Sequence, residues 1–207
     1  MIALEKVEQL RKVMHRRYRI SYDVDGVLAD IMQAIFGDVQ PNYPVKGDDN
    51  FVEFQRKYKS MWIDGWNVIR RLVEPEALAS FFFQQKGKVD IVTARGSATL
   101  GALDDWLKLN YPEITFKVVS IGLEGDKTKL HEYNIFIDDA PGIALNMRKH
   151  KDKFLFLVNK EYNANVGDEL KNVLRVNDAA EAQAIISKVA EEVKTEKRYA
   201  SRFLLFR

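Results

Sequence analysis

Four short stretches of the chain carry side chains that can do chemistry: Asp23-Val24-Asp25-Gly26, Thr93-Ala94-Arg95-Gly96, Asp126-Lys127-Thr128-Lys129 and Asp138-Asp139. On an extended strand residues i and i+2 share a face, so Asp23 and Asp25 can turn toward one point while Gly26 lets the backbone swing away. Carboxylates from two strands gathered at one sheet edge repel each other unless a cation holds them, and hard oxygen donors of this kind favour magnesium. A magnesium ion beside an aspartate suits phosphoryl transfer. An aspartate approaching a phosphate dianion meets like-charge repulsion, which the metal, a lysine and fixed donors offset. Lys127 and Lys129 are the lysine candidates. Thr93 supplies a hydroxyl, and the backbone N–H groups after it can receive phosphate oxygens. Taken singly each stretch is ordinary, since Asp-x-Asp-Gly is a common exit from a strand and Asp-Asp often caps a helix. The specificity lies in the combination.

These residues need strands to present them. Residues 18–24 (YRISYDV), 88–93 (KVDIVT), 115–120 (TFKVVS), 134–138 (NIFID) and 153–158 (KFLFLV) are rich in β-branched and aromatic residues and read as strands. Helical spacing of apolar residues over 3–16, 28–36, 51–71, 76–86, 97–109, 127–132, 141–150 and from about 178 supplies the helices, with a break at Asp64-Gly65. Strands alternating with helices of this length imply a Rossmann-like α/β fold with a doubly wound parallel sheet, whose ligands lie beyond the carboxyl ends of the strands. Residues 31–86 interrupt the alternation, with a loop over 37–50, and read as a small helical cap inserted after the first strand. The expected organisation is a basic amphipathic helix at 1–17, a core of 18–30 and 87–190, the cap at 31–86, and a basic tail at 191–207.

Composition narrows the classes. In 207 residues, 46% hydrophobic and 30% charged side chains fit a globular chain and exclude extended disorder, and no apolar run approaches a bilayer span. The absence of cysteine excludes a disulfide scaffold, a thiolate metal site and a thiol nucleophile, and fits a reducing, cytoplasmic location. Three histidines, His15, His131 and His150, show no metal-pair spacing. The formal net charge of +2 conceals an uneven distribution. Six basic groups in 1–19 face two acids and six in 188–207 face three, leaving 20 basic against 25 acidic groups between them.

In order and spacing, DVDGVLAD at 23–30, IVTAR at 91–95, DKT at 126–128 and FIDDAP at 136–141 resemble the haloacid dehalogenase-like (HAD) phosphohydrolase superfamily. Within it the fullest likeness is to the 5′(3′)-deoxyribonucleotidases, through the DGVLAD extension, the entry Leu72-Val73-Glu74-Pro75-Glu76-Ala77, Tyr162-Asn163 and Arg175-Val176. The resemblance implies Asp23 as the nucleophile that forms an aspartyl-phosphate and Asp25 as general acid, then base. It implies magnesium held by the Asp23 carboxylate, the Asp25 backbone carbonyl and Asp138, with Asp139 orienting that shell. Thr93 and the Ala94 amide would bind phosphate, and Lys127, aligned with the family's Asp-Lys-Thr, would neutralise it. The family usually places an aromatic residue after DGVLAD, where this chain has Ile31. Base stacking would then fall to cap aromatics: Phe36, Tyr58, Trp62 or Trp66.

The expected activity is magnesium-dependent hydrolysis of a small phosphorylated substrate, a nucleoside monophosphate above others. A phosphatase of nucleic-acid 3′-ends, steered by the basic termini, and a non-catalytic HAD-like binding module are the alternatives. Nucleic acid is a less favoured partner, no membrane is expected, and a homo-oligomer is compatible with the apolar stripes of the terminal helices.

Overall fold

The structure, a computed structural model, describes residues 3–37, 51–84, 88–122 and 125–204. Its elements in chain order are α1 (Leu4–His15), β1 (Ile20–Tyr22), α2 (Ile31–Phe36), α3 (Phe51–Asp64), α4 (Pro75–Gln84), β2 (Val89–Thr93), α5 (Leu100–Asn110), β3 (Phe116–Ser120), β4 (Ile135–Asp138), α6 (Pro141–Asn146), β5 (Phe154–Val158), β6 (Val173–Val176) and α7 (Ala179–Leu204). Short 3₁₀ turns include Trp66–Val68, Lys127–Lys129 and Glu161–Asn163.

All strand pairings are parallel, in the order β3-β2-β1-β4-β5-β6. The chain winds outward from β1 through β2 to β3, then crosses back to place β4 on the other side of β1. That reversal opens a crevice at the carboxyl ends of β1, β2 and β4, where Asp23, Thr93 and Asp138 stand. Helices cover both faces, as the continuous burial of β1, β2, β4 and β5 requires. Side chains alternate accordingly. Ile135, Ile137, Phe154 and Phe156 pack on the face of α1, α5 and α7, and Phe136, Leu155 and Leu157 on the face of α6.

The doubly wound parallel sheet is as expected, with local differences. A sixth strand, β6, pairs with β5; Arg175 and its short length hide it in the sequence. The helix expected from Leu28 starts at Ile31, because residues 24–29 close into a turn in which the Val24 carbonyl accepts the N–H groups of Val27, Leu28 and Ala29. The chain leaves for the cap and returns side by side: Asp30 N–H donates to the Arg70 carbonyl at 2.8 Å, and Leu72 N–H to the Leu28 carbonyl at 2.7 Å. Helix α4 packs on α7, so the inserted part narrows to α2, α3 and the Trp66 turn, and α4 serves the core. Most of the expected loop, 38–50, and the far end of the helix expected to reach residue 86 lie outside the described residues.

The expected tail at 191–207 is no separate segment as far as residue 204, because α7 runs unbroken over 26 residues. The two basic ends meet. Helix α1 packs against α7 through Leu10, Val13 and Met14, while Arg11 pairs with Glu192 and His15 lies 3.0 Å from Glu196. Residues 205–207 lie outside the described part. Among the described residues, no helix is long and apolar enough to cross a membrane.

Candidate active site

Three of the four motifs leave the central strands directly. Asp23 follows β1, with its N–H bonded to the Ile137 carbonyl of β4 at 2.9 Å, so the first and fourth motifs are tied together by backbone. Asp138 ends β4 and accepts the Ala140 N–H on Oδ1 at 2.8 Å. Carboxylate oxygens of Asp23, Asp138 and Asp139 lie within 4.8 Å of one another. Asp138 and Asp139 are buried, and the Asp23 side chain is 12% exposed.

Lys127 meets this cluster from the third motif. Its Nζ lies 2.8 Å from Asp23 Oδ1 and 2.7 Å from Asp138 Oδ2. The 3₁₀ turn that aims it is capped by Asp126, whose Oδ1 accepts the Thr128 N–H at 2.9 Å and the Thr128 hydroxyl at 2.6 Å. Lys129, two residues on, is exposed, so only Lys127 reaches the aspartates. Burial works against the Lys127 ammonium, but Asp138 and Asp23 more than offset it and its pKa is raised. Burial pushes Asp23 up to about 7, with Lys127 pulling back and Asp138 and Asp25 pushing further. Asp139 is raised well above the ordinary range, first by burial and then by Asp138 and Asp23. Folding thus crowds three carboxyl groups around one lysine. This all-oxygen donor set fits a hard divalent cation.

Asp139 is anchored from outside the four motifs. Its carboxylate accepts the Tyr162 hydroxyl, and its carbonyl accepts Asn163 Nδ2 at 2.8 Å. Arg175 holds that loop in turn, donating to the Asn163 carbonyl at 2.5 Å and the Val166 carbonyl at 2.8 Å. Gly26 makes room on the other side, with φ +75° and Asp139 Oδ2 where a Cβ would stand.

The second motif supplies one wall. Thr93, buried, accepts the Arg95 N–H on Oγ1 at 3.3 Å, and Ser120 Oγ donates to the Arg95 carbonyl at 2.6 Å. Arg95 itself turns inward. Its side chain is 1% exposed and binds Asp25 through Nε at 2.9 Å and Nη2 at 2.5 Å.

A cavity of about 80 Å³ lies over these groups, bounded by Asp23, Asp25, Gly26, Thr93, Ala94, Arg95, Asp139 and Tyr162 below and by Ile31, Met32, Phe54, Gln55 and Tyr58 of the cap above. Asp23, Asp25, Thr93, Ala94 and Asp139 therefore meet around one space, with Lys127 and Asp138 bonded to its floor. The cap candidates divide differently. Trp62 is fully buried, packed edge-on against Trp106 at 6.0 Å, and turns its Nε1 to Asp25 at 3.2 Å. Phe36 stacks parallel on Phe54 at 6.0 Å, and Trp66 packs against the core; neither borders the cavity. Ile31 does, at the position where the family that the motifs resemble usually has an aromatic.

Sequence reasoning left out Arg95 and Tyr162 as site residues. A signal for the first existed, because an arginine two residues beyond a buried strand is rarely buried without an acid to pair with. Tyr162 reaches the site through a loop after β5; Tyr162-Asn163 entered the family resemblance, but nothing local gave it a place at the site.

No family model matches the sequence, and no curated protein matches it. Among solved structures the chain is similar to a HAD hydrolase, family IA, variant 3, from Entamoeba histolytica, with a TM-score of 0.50 and 13% sequence identity over 86% of this chain and 100% of that one. A likeness at that identity speaks for architecture. Together with the strand order and the reversal at β1, it identifies the chain as an α/β protein of HAD-like, Rossmann-like fold.

Proposed function

We propose that this protein is a magnesium-dependent phosphomonoester hydrolase that works through an aspartyl-phosphate on Asp23. The observation that carries the reading is Lys127 bridging Asp23 and Asp138 at the base of a cavity whose other wall is Thr93 and Ala94. Asp23 and Asp138 would hold the metal with the Asp25 backbone carbonyl, and Asp139, fixed by Tyr162, would orient that shell. Magnesium, when bound, supplies positive charge that draws in the phosphoryl oxygens and lessens their repulsion from Asp23.

In the first step an Asp23 oxygen attacks phosphorus, the ester P–O bond breaks, and Asp25 gives its proton to the leaving oxygen. Thr93 Oγ1–H, the Ala94 N–H and Lys127 receive the phosphoryl oxygens. In the second step Asp25 takes a proton from water, whose oxygen attacks phosphorus, and the Asp23 carboxylate and inorganic phosphate separate. The cap excludes other water meanwhile.

A nucleoside monophosphate is the substrate we favour, on the strength of the motif resemblance. The cavity of about 80 Å³ is small for it. Sites for drug-sized ligands run to roughly 300–1,000 Å³. A nucleotide therefore needs the cap to move out, whereas a phosphate ester of a short alcohol needs less; the closed volume supports that second reading. A phosphate-release screen, with and without magnesium, over ribo- and deoxyribonucleoside monophosphates, sugar phosphates, short-chain alkyl phosphates and 3′-phosphorylated oligonucleotides tests both. Release from nucleoside monophosphates above the others is expected. No release from any would reject the hydrolase and favour a binding module.

A further inference from the structure

The Asp25 carboxylate receives donors from two parts of the molecule. From the core, Arg95 Nε donates to Oδ2 and Nη2 to Oδ1. From the cap, the Tyr58 hydroxyl donates to Oδ2 at 2.6 Å and Trp62 Nε1 to Oδ1 at 3.2 Å. Each oxygen thus carries one bond from each side. Tyr58 and Trp62 stand four residues apart on α3, the spacing that puts two side chains on one helix face. The guanidinium also meets the cap, its carbon 3.4 Å from the centre of the Trp62 ring.

We propose that Tyr58 is a positioning residue through which the seated cap fixes Asp25 for proton transfer, an inference that rests on the hydrolase reading above. Once protonated, Asp25 keeps a carbonyl oxygen that can still accept from Arg95 or Trp62, but its O–H needs an acceptor, which guanidinium and indole N–H groups cannot be. A phenol both donates and accepts. Tyr58 can therefore stay bonded to Oδ2 in both protonation states, as acceptor of the Asp25 proton or as donor to the carboxylate, a role no N–H partner can fill. Tyr58 also lines the cavity. When the cap lifts to admit substrate, Asp25 loses this partner, and when the cap settles it regains it, so closure and readiness of the acid are one event.

Tyr58→Phe removes the hydroxyl and keeps the ring beside Phe54. The test is kcat/KM, with magnesium, on ethyl, phenyl and 2,4-dinitrophenyl phosphate, whose leaving groups need successively less help from an acid. We expect a loss of about tenfold or more on ethyl phosphate, a smaller loss on phenyl phosphate and less than about twofold on the dinitrophenyl ester. Ratios between esters cancel the fraction of folded enzyme, so partial unfolding of the variant does not blunt the comparison. Equal losses on all three esters, or none, overturn the role of Tyr58 if the wild type is active and Asp23→Asn is not. A wild type that releases phosphate from none of them, or an Asp23→Asn variant as active as wild type, overturns the hydrolase mechanism and the role of Tyr58 with it.

Discussion

A side chain on Gly26 would collide with Asp139: the Cβ position lies 1.8 Å from Asp139 Oδ2. Asp139 cannot easily yield, because Tyr162 holds its carboxylate and Asn163 its carbonyl. Gly26→Ala should therefore cost more than the about 1–3 kcal/mol of a left-handed non-glycine backbone. A urea melt would show it, and a variant as stable as wild type would contradict the close approach.

The two neighbouring lysines should behave as opposites. Lys127 is 5% exposed and bonded to two carboxylates. Removing one partner of a buried ion pair costs about 3–5 kcal/mol, because the other charges stay buried. Lys127→Ala should lose stability on that scale and lose turnover, while Lys129→Ala should stay within about 0.5 kcal/mol of wild type. Parallel melts and phosphate-release assays of the two variants check this.

Cation binding should be linked to pH. Asp23 holds its proton up to about pH 7 in the folded chain, and Asp139 is raised with it. An unfolded aspartate titrates near about 4. For a raised acid the stabilising contribution is complete below the unfolded pKa and fades as pH climbs through the folded one. Without a divalent cation the cluster therefore weakens the fold across that window. Magnesium should raise the melting temperature more at about pH 8 than at about pH 5. An equal rise at both would contradict the assignment of the cluster as its site.

The first helix should be structural. Leu10 is fully buried between α1 and the rest of the core, and α1 lies along α7. Leu10→Ala should cost about 2–5 kcal/mol, the range for emptying a buried leucine site. Its effect on kcat per folded molecule should be nil, as thermal melts and active-site titration would report.

The strands that carry the motifs were legible because each is a short run of β-branched and aromatic residues ended by polar groups. Strand β6 was not, since Arg175 breaks its apolar run and earns its place by bonding loop carbonyls that only the fold brings near. The aspartates and Thr93 could be placed because a strand end fixes where its residue stands, whereas Lys127, on a 3₁₀ turn between strands, was singled out from Lys129 by the motif resemblance. The cap could not, because which way a helical aromatic points depends on its neighbours. Phe36 turned to Phe54, and Trp62 turned to Trp106 and Asp25. The four-residue spacing of Tyr58 and Trp62 was visible in the sequence, but the partner that gives it meaning was not.

In the proposed mechanism Asp23 is the group on which the reaction turns. Acid quenching during the first turnovers of 2,4-dinitrophenyl phosphate with magnesium, followed by peptide mapping, should find a phosphoryl group on the peptide that contains Asp23. Asp23→Asn should show neither that modification nor phosphate release while keeping its fold. Phosphate release by Asp23→Asn at the wild-type rate would contradict the account.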